Sequence, residues 1–182
     1  MINPGNILIA TPYVIGDIDF HRAVVLIVDS NKGNITGHII NKKINFKLNK
    51  LIKELNISMP LFYGGPVATD RLFFIYKSSV KLPGSKKISN KLYWCGDYDV
   101  AIKYLNDKLI SPKNIMFFLG YSGWEKHQLN NEILNKSWKI DENSILNYLF
   151  LKKIDNIWKD CIKSYGNEFI LWQNTPRNPN HN

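Results

Sequence analysis

The residues able to do chemistry in this chain are few and widely spaced. Gly120-Tyr121-Ser122-Gly123 has the outline of a nucleophile elbow, but Trp124 stands where the G-x-S-x-G pattern needs glycine. Ser122 therefore reads as a polar turn residue ahead of a helix. Cys95-Gly96-Asp97 places a thiol just before an expected helix start, where a thiolate would be favoured; a small, partly buried apolar residue is the plainer reading. His21, His38, His127 and His181 never stand four residues apart or beside a cysteine, so no metal-ligand set is assigned. His21, between Asp19 and Arg22, reads as a proton carrier or an ordinary surface histidine. No Walker loop and no G-x-G-x-x-G occurs. No catalytic residue, metal or cofactor is assigned.

Backbone chemistry is more informative. Gly64-Gly65-Pro66 lies between two apolar runs, where paired glycines permit a left-handed φ or a close backbone approach. The bend reads either as an anion nest of exposed amides or as a tight sheet corner. Gly120 and Gly123 bound an expected turn that carries Trp124 into a helix, with Gln128 one turn further on. The chain has 21 Lys and only three Arg, so Arg22 and Arg71 stand out. A planar guanidinium suits bidentate carboxylate or phosphate contacts, and a salt bridge to Asp19 or Asp70 is the structural alternative. Together with Asn41, these residues form the candidate ligand cleft: Arg22, Asn41, Gly64, Gly65, Pro66, Arg71, Gly120, Gly123, Trp124 and Gln128. A small anion is its expected occupant, and other partners are unknown.

The elements that must position these residues read mostly as strands first and helices later. Asn6–Ala10 is a short apolar run read as a strand, Ala23–Val28 is a continuous apolar run that suits a strand covered on both faces, and Asn114–Leu119 reads as a further buried strand. Ile35–Asn41, Leu61–Tyr63, Leu72–Tyr76 and Trp138–Ile140 read as further strands, and Ser79–Lys91 as a loop. Leu48, Leu51, Ile52 and Leu55 have helical spacing, as do Leu129, Ile133 and Leu134. A helix near Val100 is expected to open on Asp97 or Asp99, a brief one to hold Ile145–Phe150, and another to run from Asp155 to Gly166. Strands in series followed by helices favour an α+β fold over a doubly wound one.

Composition bounds the rest. A chain of 182 residues with 45% hydrophobic and 21% charged residues fits one globular domain, residues 1–182. No apolar run reaches a membrane span, no secretory signal is visible, and two distant cysteines do not suggest a disulfide scaffold. A cytoplasmic protein without membrane attachment is expected. The net charge of +9 points to nucleic acid as a partner, or to a solvated surface. The 21 Lys, 24 Ile and 22 Asn are the joint enrichment that AT-rich coding produces, and the lysines are scattered, which favours the surface reading.

Gly5-Asn6-Ile7-Leu8-Ile9-Ala10-Thr11-Pro12, Asp19-Phe20-His21-Arg22-Ala23-Val24, Gly37-His38-Ile39-Ile40-Asn41-Lys42, Gly64-Gly65-Pro66-Val67 and Phe118-Leu119-Gly120-Tyr121-Ser122-Gly123-Trp124 occur in this order, followed by Gln128-Leu129, Glu132, Asn135-Lys136-Ser137-Trp138 and Asn178-Pro179-Asn180-His181-Asn182. The set resembles the YqgE/AlgH family over almost the whole chain. Tyr76 stands where many members have histidine, and Cys95 replaces the first glycine of a usual Gly-Gly-Asp. The resemblance implies a single compact α+β domain in a bacterial cytoplasm. Its sheet would be strongly bent, mainly antiparallel and partly barrel-like, with flanking helices. The resemblance implies no activity; the family name carries an association with gene regulation. The sequence therefore favours a non-enzymatic binding or regulatory domain with a small cleft. A basic nucleic-acid-binding regulator is the second reading, and an enzyme using Cys95, His21 or Ser122 the third.

Overall fold

In the computed structural model, residues 2–14, 16–142, 146, 149–150 and 154–165 are described. The strands are β1 (Ile7–Ala10), β2 (Val24–Asn31), β3 (Asn34–Ile39), β4 (Lys43–Lys47), β5 (Pro60–Tyr63), β6 (Val67–Lys77), β7 (Lys86–Ser89), β8 (Leu92–Trp94), β9 (Ile115–Glu125) and β10 (Trp138–Asp141). The helices are α1 (Leu48–Leu51), α2 (Tyr98–Asn106), α3 (Lys126–Leu134) and α4 (Ile157–Lys163). These strands form one sheet in the order β10-β1-β2-β3-β9-β6-β8-β7, with β5 between β4 and β9 off that path. All pairings are antiparallel except β5 with β9. The sheet is strongly bent and does not close, so the α+β architecture expected from the sequence holds.

The continuous apolar runs are explained by burial on both faces. Ile7, Ile9, Val24, Leu26 and Val28 join Phe62, Ile75, Met116 and Phe118 in one core covered by α4, through Ile157, Trp158 and Ile162. The alternate residues Leu8, Ala10, Val25 and Ile27 pack on the other face with Trp124, Leu129 and Trp138. A third core sets Leu61, Phe74, Ile115 and Phe117 against Ala101, Ile102 and Leu105 of α2. Each fully buried Leu, Ile or Phe contributes about 1.5–3 kcal/mol of transfer free energy, so the doubly covered strands anchor the fold.

Several expected elements differ. The leucine-spaced helix is one turn only. Beyond it the backbone of Ile52 is extended, yet Ile52 and Leu55 still reach the core. Asn106 of α2 stabilises that loop, donating to the carbonyl of Glu54 at 2.8 Å and accepting from the amide of Asn56 at 3.1 Å. Strand β4 lies in a lysine-rich stretch without a strand signal, and β7 lies inside the expected Ser79–Lys91 loop. Asp97 caps α2 by accepting from the amide of Val100 at 3.0 Å, as expected. Helix α4 follows a short 3₁₀ turn and starts at Ile157. Most of the expected Ile145–Phe150 helix and the motif residues Asn178–Asn182 lie outside the described residues. Among the described residues, no helix is long and apolar enough to cross a membrane.

Candidate functional site

The expected turn at Gly120–Gly123 is instead the middle of β9. Up to Leu119 the strand pairs with β5 and β6, Tyr121 still pairs with Val67 of β6, and from Ser122 the strand pairs with β3. Gly120, at φ +72°, makes the corner between those two sets of neighbours. The Gly64-Gly65 bend packs straight onto this corner. The amide of Gly64 donates to the carbonyl of Leu119 at 2.7 Å. Its carbonyl accepts from the amide of Ile39 at 2.9 Å and from the Ser122 hydroxyl at 3.1 Å. A Cβ on Gly64 would lie 2.8 Å from Nδ1 of His38 and would also run into the carbonyl of Gly120. Gly65, at φ +144°, is equally hemmed in by Tyr121 and Ser122. Of the two readings of this bend, these contacts fit the sheet corner, because the Gly64 amide is spent inside the protein.

His38 sits at the same crossing, fully buried. Its Nδ1 donates to the carbonyl of Gly120 at 3.1 Å, and its Nε2 accepts the indole N–H of Trp94 at 3.0 Å. The two partners together require the neutral ring with its proton on Nδ1. The ring also stacks on Phe118, with centroids 4.8 Å apart. Burial lowers the pKa to about 3, and the bond to Gly120 only partly opposes it. Ser122 is as buried as His38. Both side chains are engaged by hydrogen bonds within the core.

A polar junction lies where the β1–β2 loop meets the β3–β4 link and the end of β5. Asp17 folds the loop by accepting from the amides of Asp19 at 2.9 Å and Phe20 at 3.1 Å. Lys42 then donates to the carbonyls of Ile18 at 3.0 Å and Asp19 at 2.8 Å. The Tyr63 hydroxyl donates to the Asp19 carboxylate at 2.8 Å. Asn41 bridges the loop end to β2, donating to the carbonyl of Arg22 at 2.8 Å and accepting from the amide of Val24 at 2.9 Å. Arg22 has φ +54°, and its guanidinium lies 4.9 Å above the ring of Trp158. Desolvation, then the charges of Arg22 and Lys42, holds His21 below its usual pKa. Desolvation also lowers Lys42, against the pull of Asp19 and Asp17. Burial, then the bond to Asp19, pushes the Tyr63 phenol up.

On the far side of that loop, Phe20 stacks on Trp124 at 5.4 Å and meets Trp138 edge-on at 5.3 Å. One oxygen of Glu132 accepts both indole N–H groups, from Trp124 at 3.0 Å and Trp138 at 2.7 Å. Its other oxygen accepts from Gln128 at 2.9 Å. Gln128 thus supports a carboxylate clamp on α3, and its amide nitrogen is engaged there.

Of the ten candidate residues, Arg22, Asn41, Gly64, Gly65 and Gly120 meet around the crossing and its adjoining junction. Trp124 and Gln128 connect to them through Phe20 and Glu132. Gly123 pairs with Thr36 further along β9, Pro66 is exposed beside the bend, and Arg71 is exposed in the bulged part of β6. Sequence reasoning missed His38, Lys42 and Tyr63 as members of this arrangement. A histidine inside the apolar run Gly37-His38-Ile39-Ile40 was the available signal. The Cys95 thiol is raised above its usual pKa by burial, contrary to the activated-thiolate reading.

A family model described as AlgH-like matches residues 7–170. A UPF0301 protein of Bacteroides fragilis is 39% identical over 100% of this chain and 92% of its own length. A UPF0301 protein of Chlorobium limicola is 31% identical over 100% of this chain and 96% of its own length. The crystal structure of a Corynebacterium diphtheriae protein superposes with a TM-score of 0.75 at 19% identity, covering 96% of this chain and 93% of that one. The solution structure of AlgH from Pseudomonas aeruginosa gives 0.70 at 23% identity, covering 95% and 94%. With a family model spanning all ten strands described above, the chain belongs to the AlgH-like family.

Proposed function

We propose that the protein is a non-enzymatic binding or regulatory domain, active as one unit in the cytoplasm, whose small-anion site is the polar junction beside the glycine crossing. One observation carries this reading. Asn41, Lys42 and Tyr63 each tie their own segment to the 17–22 loop, which holds His21 and Arg22 beside Lys42. Desolvation and the charges of Arg22 and Lys42 disfavour a proton on His21. A bound anion would relieve the second effect, so binding and protonation of His21 would favour each other. The engaged hydrogen bonds of Ser122 and His38, and the raised Cys95 thiol, weigh against an enzyme built on those groups.

The test is a thermal-shift screen with inorganic phosphate, nucleotides and small carboxylates, repeated on Arg22→Gln and His21→Gln. A ligand at about 100 times its Kd adds about 2.7 kcal/mol, a readable shift. The expected result is an anion that stabilises the parent chain and loses most of that effect in both variants. A stabilising anion indifferent to both substitutions, or no stabilising anion, would overturn the reading.

A further inference from the structure

We propose that the cleft between the β2–β3 hairpin and α3 is a binding site for a small phosphorylated polyol, such as a sugar phosphate. Its volume is about 520 Å³, within the range of small-molecule sites. It shares no residue with the junction around His21. Local structure assembles it. Asn31 pairs with Asn34, which leaves Lys32 and Gly33 as the turn, with φ of +50° and +84°. Two positive values make it the type I′ turn that twisted hairpins favour. The carbonyl of Gly33 accepts from the amide of Lys126 at 2.8 Å, which ties the hairpin tip to the first residue of α3. Lys126 and Asn130, one turn apart, share a face of that helix.

The lining defines the ligand. Ile2 and Ile35, both buried, supply an apolar floor for the C–H face of a sugar ring. Ser30, Asn31 and Asn130 line the same cleft with a hydroxyl and two side-chain amides. Each of these groups both donates and accepts, as the hydroxyls of a polyol do. Lys32 and Lys126 add two ammonium groups, compact charges suited to phosphate. Among the described residues no carboxylate lines the cleft to neutralise them, and no aromatic ring lines it to stack a base. A nucleotide is therefore the poorer fit. Lys91, Lys108 and Lys136 also have positive φ, so it is the cleft and not the backbone that singles out Lys32.

The experiment uses the intact, isotope-labelled chain and follows amide chemical shifts with glucose phosphate, ribose phosphate and glycerol phosphate. The controls are the free polyols, inorganic phosphate and adenosine monophosphate. At least one phosphorylated polyol is expected to shift the amides of residues 30–35 and 126–130, and to bind about tenfold or more tightly than inorganic phosphate or its own free polyol. Lys32→Asn and Lys126→Gln should each weaken that binding about tenfold. Asparagine is favoured in a type I′ turn, so Lys32→Asn should melt no lower than the parent chain, which separates lost binding from lost folding. No shift at these amides at millimolar concentration would overturn the proposal. So would unchanged affinity in both variants, inorganic phosphate binding equally well, or tighter binding of adenosine monophosphate at the same amides. Shifts confined to residues 17–22 would place the ligand at the junction and overturn this site alone.

Discussion

The indole of Trp94 donates its hydrogen to Nε2 of His38 across 3.0 Å, which leaves that nitrogen no room for a proton. Protonating His38 means breaking this bond inside the core. The folded pKa of about 3 lies below the ordinary value of 6.5, so the unfolded chain binds the proton first as pH falls. The stability due to neutral His38 is complete above pH 6.5 and is lost progressively toward pH 3. By pH 4 the loss from this group amounts to about 3 kcal/mol. Urea denaturation at pH 7 and pH 4 measures it. His38→Gln should be less stable at pH 7 and show a flatter pH dependence between those values.

Gly64→Ala should be among the most damaging single substitutions in the chain. Its methyl group would meet the backbone carbonyl of Gly120 and the His38 ring, neither of which can move away cheaply. A loss of about 3 kcal/mol or more is expected, or failure to accumulate folded protein. Gly33→Ala is the control. Gly33 has positive φ, at +84°, which Gly64 does not, but a Cβ there meets nothing within 4 Å, so about 1 kcal/mol is expected from backbone conformation alone. A loss at Gly64 no larger than that at Gly33 would show that crowding does not govern the crossing.

Replacing Glu132 by Ala removes the shared acceptor of two largely buried indoles. The expected cost is about 2–3 kcal/mol, with a change in tryptophan emission and in near-ultraviolet circular dichroism. Glu132→Gln keeps one acceptor oxygen and should fall between the parent and the alanine variant. Gln128→Ala, at the exposed end of the same clamp, should cost less than about 1 kcal/mol.

Tyr76 completes a relay of hydrogen bonds. The amide of Leu82 donates to the Tyr76 hydroxyl at 2.7 Å, the hydroxyl is 2.7 Å from Oγ of Ser85, and Ser85 donates to the carbonyl of Cys95 at 2.8 Å. Tyr76→Phe leaves the Leu82 amide without its partner. About 1–3 kcal/mol of stability should be lost, with faster hydrogen exchange at Leu82 and Ser85. Exchange unchanged at those two amides would contradict this account.

The apolar runs Ala23–Val28 and Ile115–Leu119 were legible because burial on both faces removes polar residues altogether. The Asp97 cap was legible because capping is a local interaction. Gly120–Gly123 misled because two glycines and a serine have turn composition, while their actual role is to let two backbones cross. His38 was hidden for another reason. Its partners Trp94 and Gly120 are 56 and 82 residues away, and nothing local announces them. Strand β4 was hidden because an exposed edge strand needs no apolar alternation, so its lysines resemble a loop. The positive φ of Arg22 is likewise imposed by tertiary contacts, since arginine has no preference for that region.

The corner at Gly120 makes β9 common property of both halves of the sheet. Because β3, β5 and β6 all need this later strand as a neighbour, the growing polypeptide on a ribosome cannot join its early hairpins until residues 115–125 have left the exit tunnel. Before then, the β3 and β6 edges stand open to unwanted pairing, and the nascent chain has its greatest need of a chaperone. Pulling-force measurements on stalled chains of increasing length should therefore register one late folding event and not two separate ones.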